Sequence, residues 1–150
     1  MGNYNFVADL QRADYVEQEV AIYIQKNYET DGIERCSDNR YDLWINFVKD
    51  GPRKIEIKED LLCAHTGNIA VEFEGRGRPS GIQTTISDLY IYVIRYRNYS
   101  RYLALPIKTL RRAIAEQAYF TVVTGGDKGS GTKCYLFKYE DFIQYGRFIL

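Results

Sequence analysis

The sequence has few of the residues that build disulfide frameworks, zinc sites and histidine-based active sites. Its three cysteines, Cys36, Cys63 and Cys134, are odd in number and show no CxxC spacing. This pattern argues against a disulfide framework or a zinc site and is typical of a reducing compartment. The one histidine, His65, lies in a polar connection. A lone histidine in such a place does not support Ser-His or Cys-His catalysis.

The sequence also has no apolar run of membrane-spanning length and no excess of either charge. Its N-terminal residues are polar and do not resemble a signal peptide, so we expect a soluble, cytoplasmic protein with no membrane partner. Lysine plus arginine number 20 and aspartate plus glutamate number 20, so any nucleic-acid binding must depend on a local basic patch. The glycine-rich segment 125–133 lacks the Gly-Lys-Ser/Thr ending of a Walker motif, which argues against a nucleoside-triphosphate site.

The 150 residues are enough for one domain, spanning residues 1–150, that buries most of its surface. Hydrophobic spacing predicts an α/β (α+β) fold that contains both helices and strands. The continuous apolar run 89–94 predicts a central strand that is buried on both faces. The predicted helices span residues 9–28, 107–118 and 139–145, with a further helix beginning at Ser80, and the predicted strands span residues 33–36, 41–48, 53–59, 68–74, 89–94 and 102–105, followed by a hairpin of residues 119–124 and 134–137.

Two of the predicted strands carry acidic and basic side chains in a pattern suited to a metal ion. Glu56 and Lys58 lie two residues apart and therefore point to the same face of the sheet. Asp42 begins the preceding strand, and the turn Lys49–Pro52 can bring Asp42 and Glu56 to one edge. Carboxylate oxygens bind Mg²⁺, and an ammonium beside them can stabilise charge on a phosphate. A half-exposed surface strand is the alternative explanation of the same pattern.

At Asp42, Glu56 and Lys58 the sequence resembles the PD-(D/E)XK nuclease superfamily, whose pattern is an acid on one strand and Glu-x-Lys on the next. Tyr41 stands where a proline usually precedes the first acid. The resemblance covers residues 12 to 95 and implies a restriction-endonuclease-like core of a helix, three strands, a helix and a strand. Such a core has a central mixed β-sheet flanked by helices. The strand 68–74 departs from the simplest version of that core, and the C-terminal helix and hairpin are additions to it.

Glu17 is the candidate acid of the first helix. It lies three residues before Val20 and seven before Ile24, at the edge of the apolar stripe. The resemblance, which includes the archaeal Holliday-junction resolvases, implies that this glutamate faces the active site, and a boundary glutamate on an amphipathic helix is the alternative. Glu72 and Glu74 lie on a later strand, where they either line the same cleft or face solvent; contact with the metal stays open for Glu72.

A basic, glycine-rich segment follows that strand. Arg76 and Arg78 precede Ser80 and Gln83, whose spacing is that of a capping box at the start of a helix. Because helix N-terminal amides attract anions, we predict a phosphate clamp here, with a solvated surface loop as the alternative. Similarity to small phage-encoded nucleases of the superfamily implies that Gln83 and Thr85 help to bind the scissile region.

Further basic side chains lie outside this core. Lys108, Arg111 and Arg112 form one basic surface of a predicted helix, which is either solvated or extends a nucleic-acid track. Lys128 and Lys133 lie in the glycine-rich loop, which is either a plain hairpin tip or a mobile segment along DNA.

The resemblance implies metal-assisted hydrolysis of phosphodiester bonds in DNA, either duplex or branched. Asp42, Glu56 and the Ile57 backbone carbonyl would hold Mg²⁺ or Mn²⁺. Lys58 would orient or help to deprotonate the attacking water, and Glu17 would hold a further water or ion. A non-catalytic nucleic-acid-binding or assembly module on the same fold is the alternative, and a protein-interaction domain without a nucleic-acid role is a third. The sequence leaves the formation of a homodimer open.

Overall fold

The computed structural model describes residues 6–36, 40–125 and 131–149, with side chains from residue 14 onward within those ranges. The described chain is a mixed α/β structure. The helices are α1 (Phe6–Asn27), α2 (Cys63–Thr66), α3 (Ile107–Ala115) and α4 (Tyr139–Phe142), and 3₁₀ turns span Gly81–Gln83 and Ile143–Tyr145. The strands are β1 (Thr30–Arg35), β2 (Leu43–Phe47), β3 (Gly51–Asp60), β4 (Asn68–Gly75), β5 (Arg78–Pro79), β6 (Leu89–Arg95), β7 (Ser100–Pro106), β8 (Thr121–Gly125), β9 (Thr132–Lys138) and β10 (Arg147–Ile149). Within the described ranges, none of the helices combines the length and the apolar character that crossing a bilayer requires.

The main sheet is mixed, as the sequence predicts. Its six strands lie in the order β1-β2-β3-β6-β7-β10. β3 and β6 are parallel, and every other neighbouring pair is antiparallel. A parallel pair needs a long crossover connection. Here the crossover from β3 to β6 contains α2, β4, β5 and one 3₁₀ turn instead of one long helix.

Two hydrophobic cores share strand β6. Because side chains alternate along a strand, Ile91 and Val93 point to one face of the main sheet and Tyr90, Tyr92 and Ile94 to the other. The first face packs against α1, whose buried side chains are Val16, Val20 and Ile24. The second face packs against α3, α4 and a second sheet, with Leu110, Phe142, Ile69 and Phe137 among the buried side chains. The predicted burial of the 89–94 run on both faces is confirmed, since residues 90–94 are all buried.

The second sheet was not predicted. The terminal hairpin forms as expected, from β8 and β9, but β9 also pairs antiparallel with β4. The result is a four-stranded sheet in the order β5-β4-β9-β8. The strand 68–74 is therefore part of a separate layer, which explains why it has no place in the simplest core expected from the sequence.

Several predicted boundaries change. The prediction of a helix that begins at Ser80 is wrong, because residues 81–83 form only a single 3₁₀ turn. The helix predicted over 107–118 ends at Ala115, and Gln117 has a left-handed φ of 60° that ends it. The predicted helix over 139–145 is α4 followed by a 3₁₀ turn. Strand β10, which pairs with β7, was not anticipated.

One ion-pair network fastens α1 to the main sheet. Arg95 donates from Nη1 and Nη2 to the two carboxylate oxygens of Glu19, at 2.7 and 2.8 Å. Its Nε donates to Glu59 Oε2 on β3 at 2.7 Å. The Tyr102 hydroxyl donates to the same Glu19 carboxylate. One turn further along the helix the Tyr23 hydroxyl donates to the Ile149 carbonyl at 3.1 Å, so α1 also contacts β10.

Candidate active site

Asp42 immediately precedes strand β2. Its carboxylate accepts a hydrogen bond from β3 just beyond the last backbone pair of the two strands. The register pairs Leu43 with Ile55, and β2 pairs with β3 no further than this. The Asp42 backbone N–H donates to the Ile55 carbonyl at 3.0 Å. The Ile57 backbone N–H lies beyond the ladder and donates to Asp42 Oδ2 at 2.6 Å. The aspartate therefore satisfies a strand amide that would otherwise need a further β2 residue.

Glu56 and Lys58 form an ion pair on the face of β3 opposite to α1. Ile55 and Ile57 belong to the core beneath α1, so Glu56 and Lys58 point the other way. Lys58 Nζ lies 2.9 Å from Glu56 Oε2, and the two side chains are 39% and 19% exposed. The Thr85 hydroxyl donates to Glu56 Oε1 at 3.3 Å. This places Thr85, predicted to bind near the scissile bond, beside the Glu56–Lys58 pair.

Glu17 approaches Asp42 from α1, and the two carboxyl groups influence each other's pKa. Burial raises the pKa of Asp42, and the charge of Glu56 raises it further, although the Ile57 N–H and Lys58 act in the opposite direction. Burial likewise raises the pKa of Glu17, with Asp42 adding to the effect and Arg35 opposing it. Two neighbouring carboxyl groups that are partly withdrawn from water resist ionising together. The pair therefore favours either a bound proton or a neighbouring cation.

Arg35 on β1 is a charged neighbour that the sequence did not point to. Its Nε donates to Glu17 Oε2 at 2.8 Å, and its Nη2 also contacts Asp14. Arg35 follows Glu34 on a short strand whose alternation resembles an ordinary solvated edge, so the sequence offers no signal for it. Its guanidinium compensates part of the negative charge of Asp14 and Glu17 on α1.

An open cleft of about 650 Å³ adjoins Lys58 between the main sheet and the second sheet. Lys58, Glu72, Tyr90 and Tyr92 line it. Tyr90 is 1% exposed, and its hydroxyl has no hydrogen-bond partner among the described residues. Burial raises the pKa of Tyr90; the charges of Glu56 and Glu72 add to this, and Arg111 opposes it. The hydroxyl thus lies within electrostatic reach of these three charged groups.

The residues of the predicted phosphate clamp lie at the edge of the second sheet and not at a helix start. Arg76 and Arg78 are exposed in the β4–β5 turn, and the helix start that was expected beside them does not form. The Ser80 hydroxyl makes no cap and donates to Glu72 Oε2 at 2.8 Å, which corrects the predicted capping box. Gln83 ends the 3₁₀ turn and is exposed.

The remaining predicted groups lie elsewhere. Glu74 pairs with Lys133 Nζ at 3.1 Å, and Lys128 lies outside the described residues. The three cysteines are free thiols, in line with the sequence.

The 3₁₀ turn depends on a glycine. Gly81 has a φ of +54°, and a Cβ there would lie 2.2 Å from the Glu72 carbonyl oxygen. We expect Gly81→Ala to lower the free energy of unfolding by about 2 kcal/mol, because it combines a left-handed backbone with a clash against β4 backbone. Urea unfolding measures this. Gly77→Ala is the matched control, since Gly77 has a φ of +75° and open space around its Cβ position. Equal losses in the two variants would contradict the close approach at Gly81.

The side chains of Glu17, Asp42 and Glu56, which we call the acid cluster, are donors that suit a hard divalent cation. Among the described residues no group of three or more His, Cys, Asp and Glu side chains is already arranged around one metal position. Glu17, Asp42 and Glu56 nevertheless offer only carboxylate oxygens, which Mg²⁺ and Mn²⁺ prefer. Burial is the main cause of the raised pKa values of Asp42 and Glu17. The oxygen donors fit the predicted ion in their chemistry.

Comparison with known proteins adds no relative to this description: the chain matches no family model, no curated protein and no solved structure.

Proposed function

We propose that the chain is a metal-dependent nuclease that hydrolyses phosphodiester bonds in DNA. The observation that carries the proposal is the acid cluster itself: the Glu17–Asp42 pair lies at the Ile57 amide, one strand away from the Glu56–Lys58 ion pair. The order of a helix, three antiparallel strands and a fourth strand parallel to the third supports a restriction-endonuclease-like core.

Asp42, Glu56 and the Ile57 carbonyl would hold Mg²⁺ or Mn²⁺. When bound, such an ion polarises a phosphoryl oxygen and neutralises charge that develops on it. The Lys58 ammonium, held at 2.9 Å by Glu56, is placed to donate a hydrogen bond to a phosphate oxygen that gains charge during attack. Thr85 restrains Glu56 from the other side, so the carboxylate keeps its orientation. Glu17 would hold or move a proton at the Asp42 carboxylate.

A second candidate is a nucleic-acid-binding or assembly module on the same fold that does not cleave. It is favoured by the internal satisfaction of the site: Asp42 Oδ2 accepts from Ile57, and both carboxylate oxygens of Glu56 have protein partners. A module of this kind would retain DNA without a metal requirement.

Cleavage of linear duplex, branched duplex, single-stranded DNA and RNA in Mg²⁺, Mn²⁺ or EDTA tests the proposal. Wild type is expected to cut at least one DNA substrate with Mg²⁺ or Mn²⁺ and none in EDTA. Lys58→Ala should lower the cleavage rate by roughly 10²-fold while DNA binding is retained, because Lys58 stabilises charge in the transition state.

The control is Lys138→Ala, which removes a strand lysine of the second sheet whose Nζ lies 5.1 Å from the Phe120 ring. This variant should cut like wild type. DNA binding without metal-dependent cleavage of any substrate would favour the binding module.

A further inference from the structure

The N-terminus of α3 lacks the groups that usually neutralise it. Pro106 precedes the helix and cannot cap it, and the first turn contains no acidic residue. The Ile107 N–H donates to the Asp88 carbonyl at 2.9 Å. The next amides, of Lys108 and Thr109, have no acceptor within the helix, as at every helix start. The positive end of the helix dipole is therefore left to a neighbouring group.

A cavity of about 540 Å³ lies against this helix start, and we call it the α3 cavity. It is lined by residues that include Arg53, Ser87, Asp88, Lys108 and Arg111. Three of these are cationic and one is acidic. One carboxylate oxygen of Asp88 accepts a hydrogen bond from the Lys54 backbone N–H at 2.8 Å, which compensates part of the aspartate charge. The cavity is therefore electropositive.

Ser87 supplies an independent sign of a ligand. It is 6% exposed and lines the α3 cavity. Its hydroxyl has no hydrogen-bond partner among the described residues. A buried hydroxyl without a partner destabilises a folded chain, and such groups usually have an ion, a water or a ligand nearby. An oxyanion would accept from this hydroxyl and from the helix amides together.

The segment between Ile82 and Ser87 joins the α3 cavity to the candidate active site. Arg111 donates to the Ile82 and Thr85 carbonyls at 3.0 and 3.1 Å. The Thr85 hydroxyl accepts from the Ser87 N–H at 3.1 Å and donates to Glu56 at 3.3 Å. One residue, Thr85, therefore contacts the carboxylate of the acid cluster and lines the cavity.

We propose that the α3 cavity binds a backbone phosphate of the nucleic acid whose neighbouring phosphodiester lies at Glu56 and Lys58. The Ser87 hydroxyl, the amides of Lys108 and Thr109 and the Lys108 ammonium contact the phosphate, and Arg111 holds the wall in place. The identification of the anion as nucleic acid rests on the proposed function, whereas the anion site itself rests on the cavity. This site takes the anchoring role that the sequence assigned to a helix start at Ser80.

The first experiment titrates inorganic phosphate into the full chain in EDTA, at constant ionic strength, and follows backbone amides by NMR. Saturable shifts are expected at Ser87, Lys108 and Thr109. Ser87→Ala should weaken phosphate binding roughly threefold while the fold stays at least as stable, since a buried hydroxyl without a protein partner is removed. Shifts that do not saturate at these amides, or a Ser87→Ala variant with unchanged affinity, would overturn the site.

The second experiment measures binding of a fluorescent DNA oligonucleotide in EDTA across a salt series. Lys108→Ala should weaken binding roughly threefold to tenfold and lower the slope of log affinity against log salt by about 1. Arg112→Ala is the matched control, because it removes one positive charge from the same helix outside the lining of the α3 cavity. Equal effects of the two substitutions would overturn the nucleic-acid assignment and leave a site for free phosphate or a phosphorylated small molecule.

The two proposals fail separately. If Lys108-dependent oligonucleotide binding is found and no substrate is cut with metal, the α3 cavity stands and the nuclease does not. If metal-dependent cleavage is found and the Lys108→Ala and Arg112→Ala variants bind alike, the nuclease stands and the α3 cavity does not.

Discussion

Asp42→Asn is expected to abolish metal-dependent cleavage and, without metal, to make the chain more stable. The amide keeps an oxygen for the Ile57 N–H, so this hydrogen bond survives, and it offers a donor to the neighbouring Glu17 carboxylate. The substitution removes a half-buried negative charge and a proposed metal ligand. We expect the cleavage rate to fall by roughly three to four orders of magnitude and the free energy of unfolding to rise by about 1 kcal/mol.

The sign of the pH dependence follows from the raised pKa values. Asp42 and Glu17 have pKa values above their ordinary values of 3.8 and 4.5. Such carboxyls contribute stability that is fully present below the ordinary value and is lost as pH rises through the folded-state pKa. Metal-free wild type should therefore lose stability as pH rises from the acid range past those raised values. Asp42→Asn should show less of this loss, because one of the two groups no longer titrates.

Urea unfolding between pH 4 and pH 8, in EDTA and with Mg²⁺, measures both effects. Mg²⁺ should stabilise wild type and leave Asp42→Asn unchanged, because a ligand stabilises only a state that binds it. Asp31→Asn, an exposed acid on β1, is the control and should behave like wild type throughout. An Asp42→Asn variant that cuts DNA at the wild-type rate would exclude Asp42 from the active site.

The second large effect is a loss of stability. Arg95→Ala is expected to lower the free energy of unfolding by about 4 kcal/mol, because Glu19 and Glu59 lose a shared cation in a poorly solvated place. The side chains of Arg95, Glu19 and Glu59 are only 17%, 21% and 15% exposed. Loss of the network also releases α1, which carries Glu17, so metal-dependent cleavage should fall with stability.

Chemical unfolding at neutral pH tests this expectation. Arg97→Ala removes an arginine two residues along the chain, in an exposed turn, and should change the free energy of unfolding by less than about 0.5 kcal/mol. A loss for Arg95→Ala no larger than that for Arg97→Ala would show that the network does not hold the helix.

The sequence predicted those features of the fold that depend on neighbouring residues, such as strands and the side chains that share a face. Alternation from residue 41 to 59 predicted the β2–β3 hairpin, and the apolar run at 89–94 predicted the strand buried on both faces. Two residues apart on one strand, Glu56 and Lys58 had to share a face. The turn that joins their strands indicated that Asp42 and Glu56 can share an edge. Helical spacing placed Glu17 at the border of the apolar stripe, and the resemblance to the nuclease superfamily implied that it faces the active site.

Contacts between segments that are distant in the chain could not be predicted from the sequence patterns. The residues that β4 and β9 pair lie 59 to 70 positions apart in the chain, and the pattern of either strand alone is typical of half of an ordinary hairpin. Ser80 has capping-box spacing, but its hydroxyl bonds to Glu72, because β4 lies nearer than any helix amide. Arg35 and Arg95 look like solvated charges until α1 is packed across the sheet. Tertiary context overrode local preference at each of these positions.

The pairing of β10 with β7 affects the tendency of the chain to aggregate during its synthesis. β10 closes one edge of the main sheet, and Ile149 is buried in the core beneath α1. Until residues 147–149 have been made, a nascent chain exposes the unpaired β7 edge together with part of an apolar core. Exposed strand edges and apolar surfaces promote aggregation between copies. These few residues therefore shield the newly made chain from self-association.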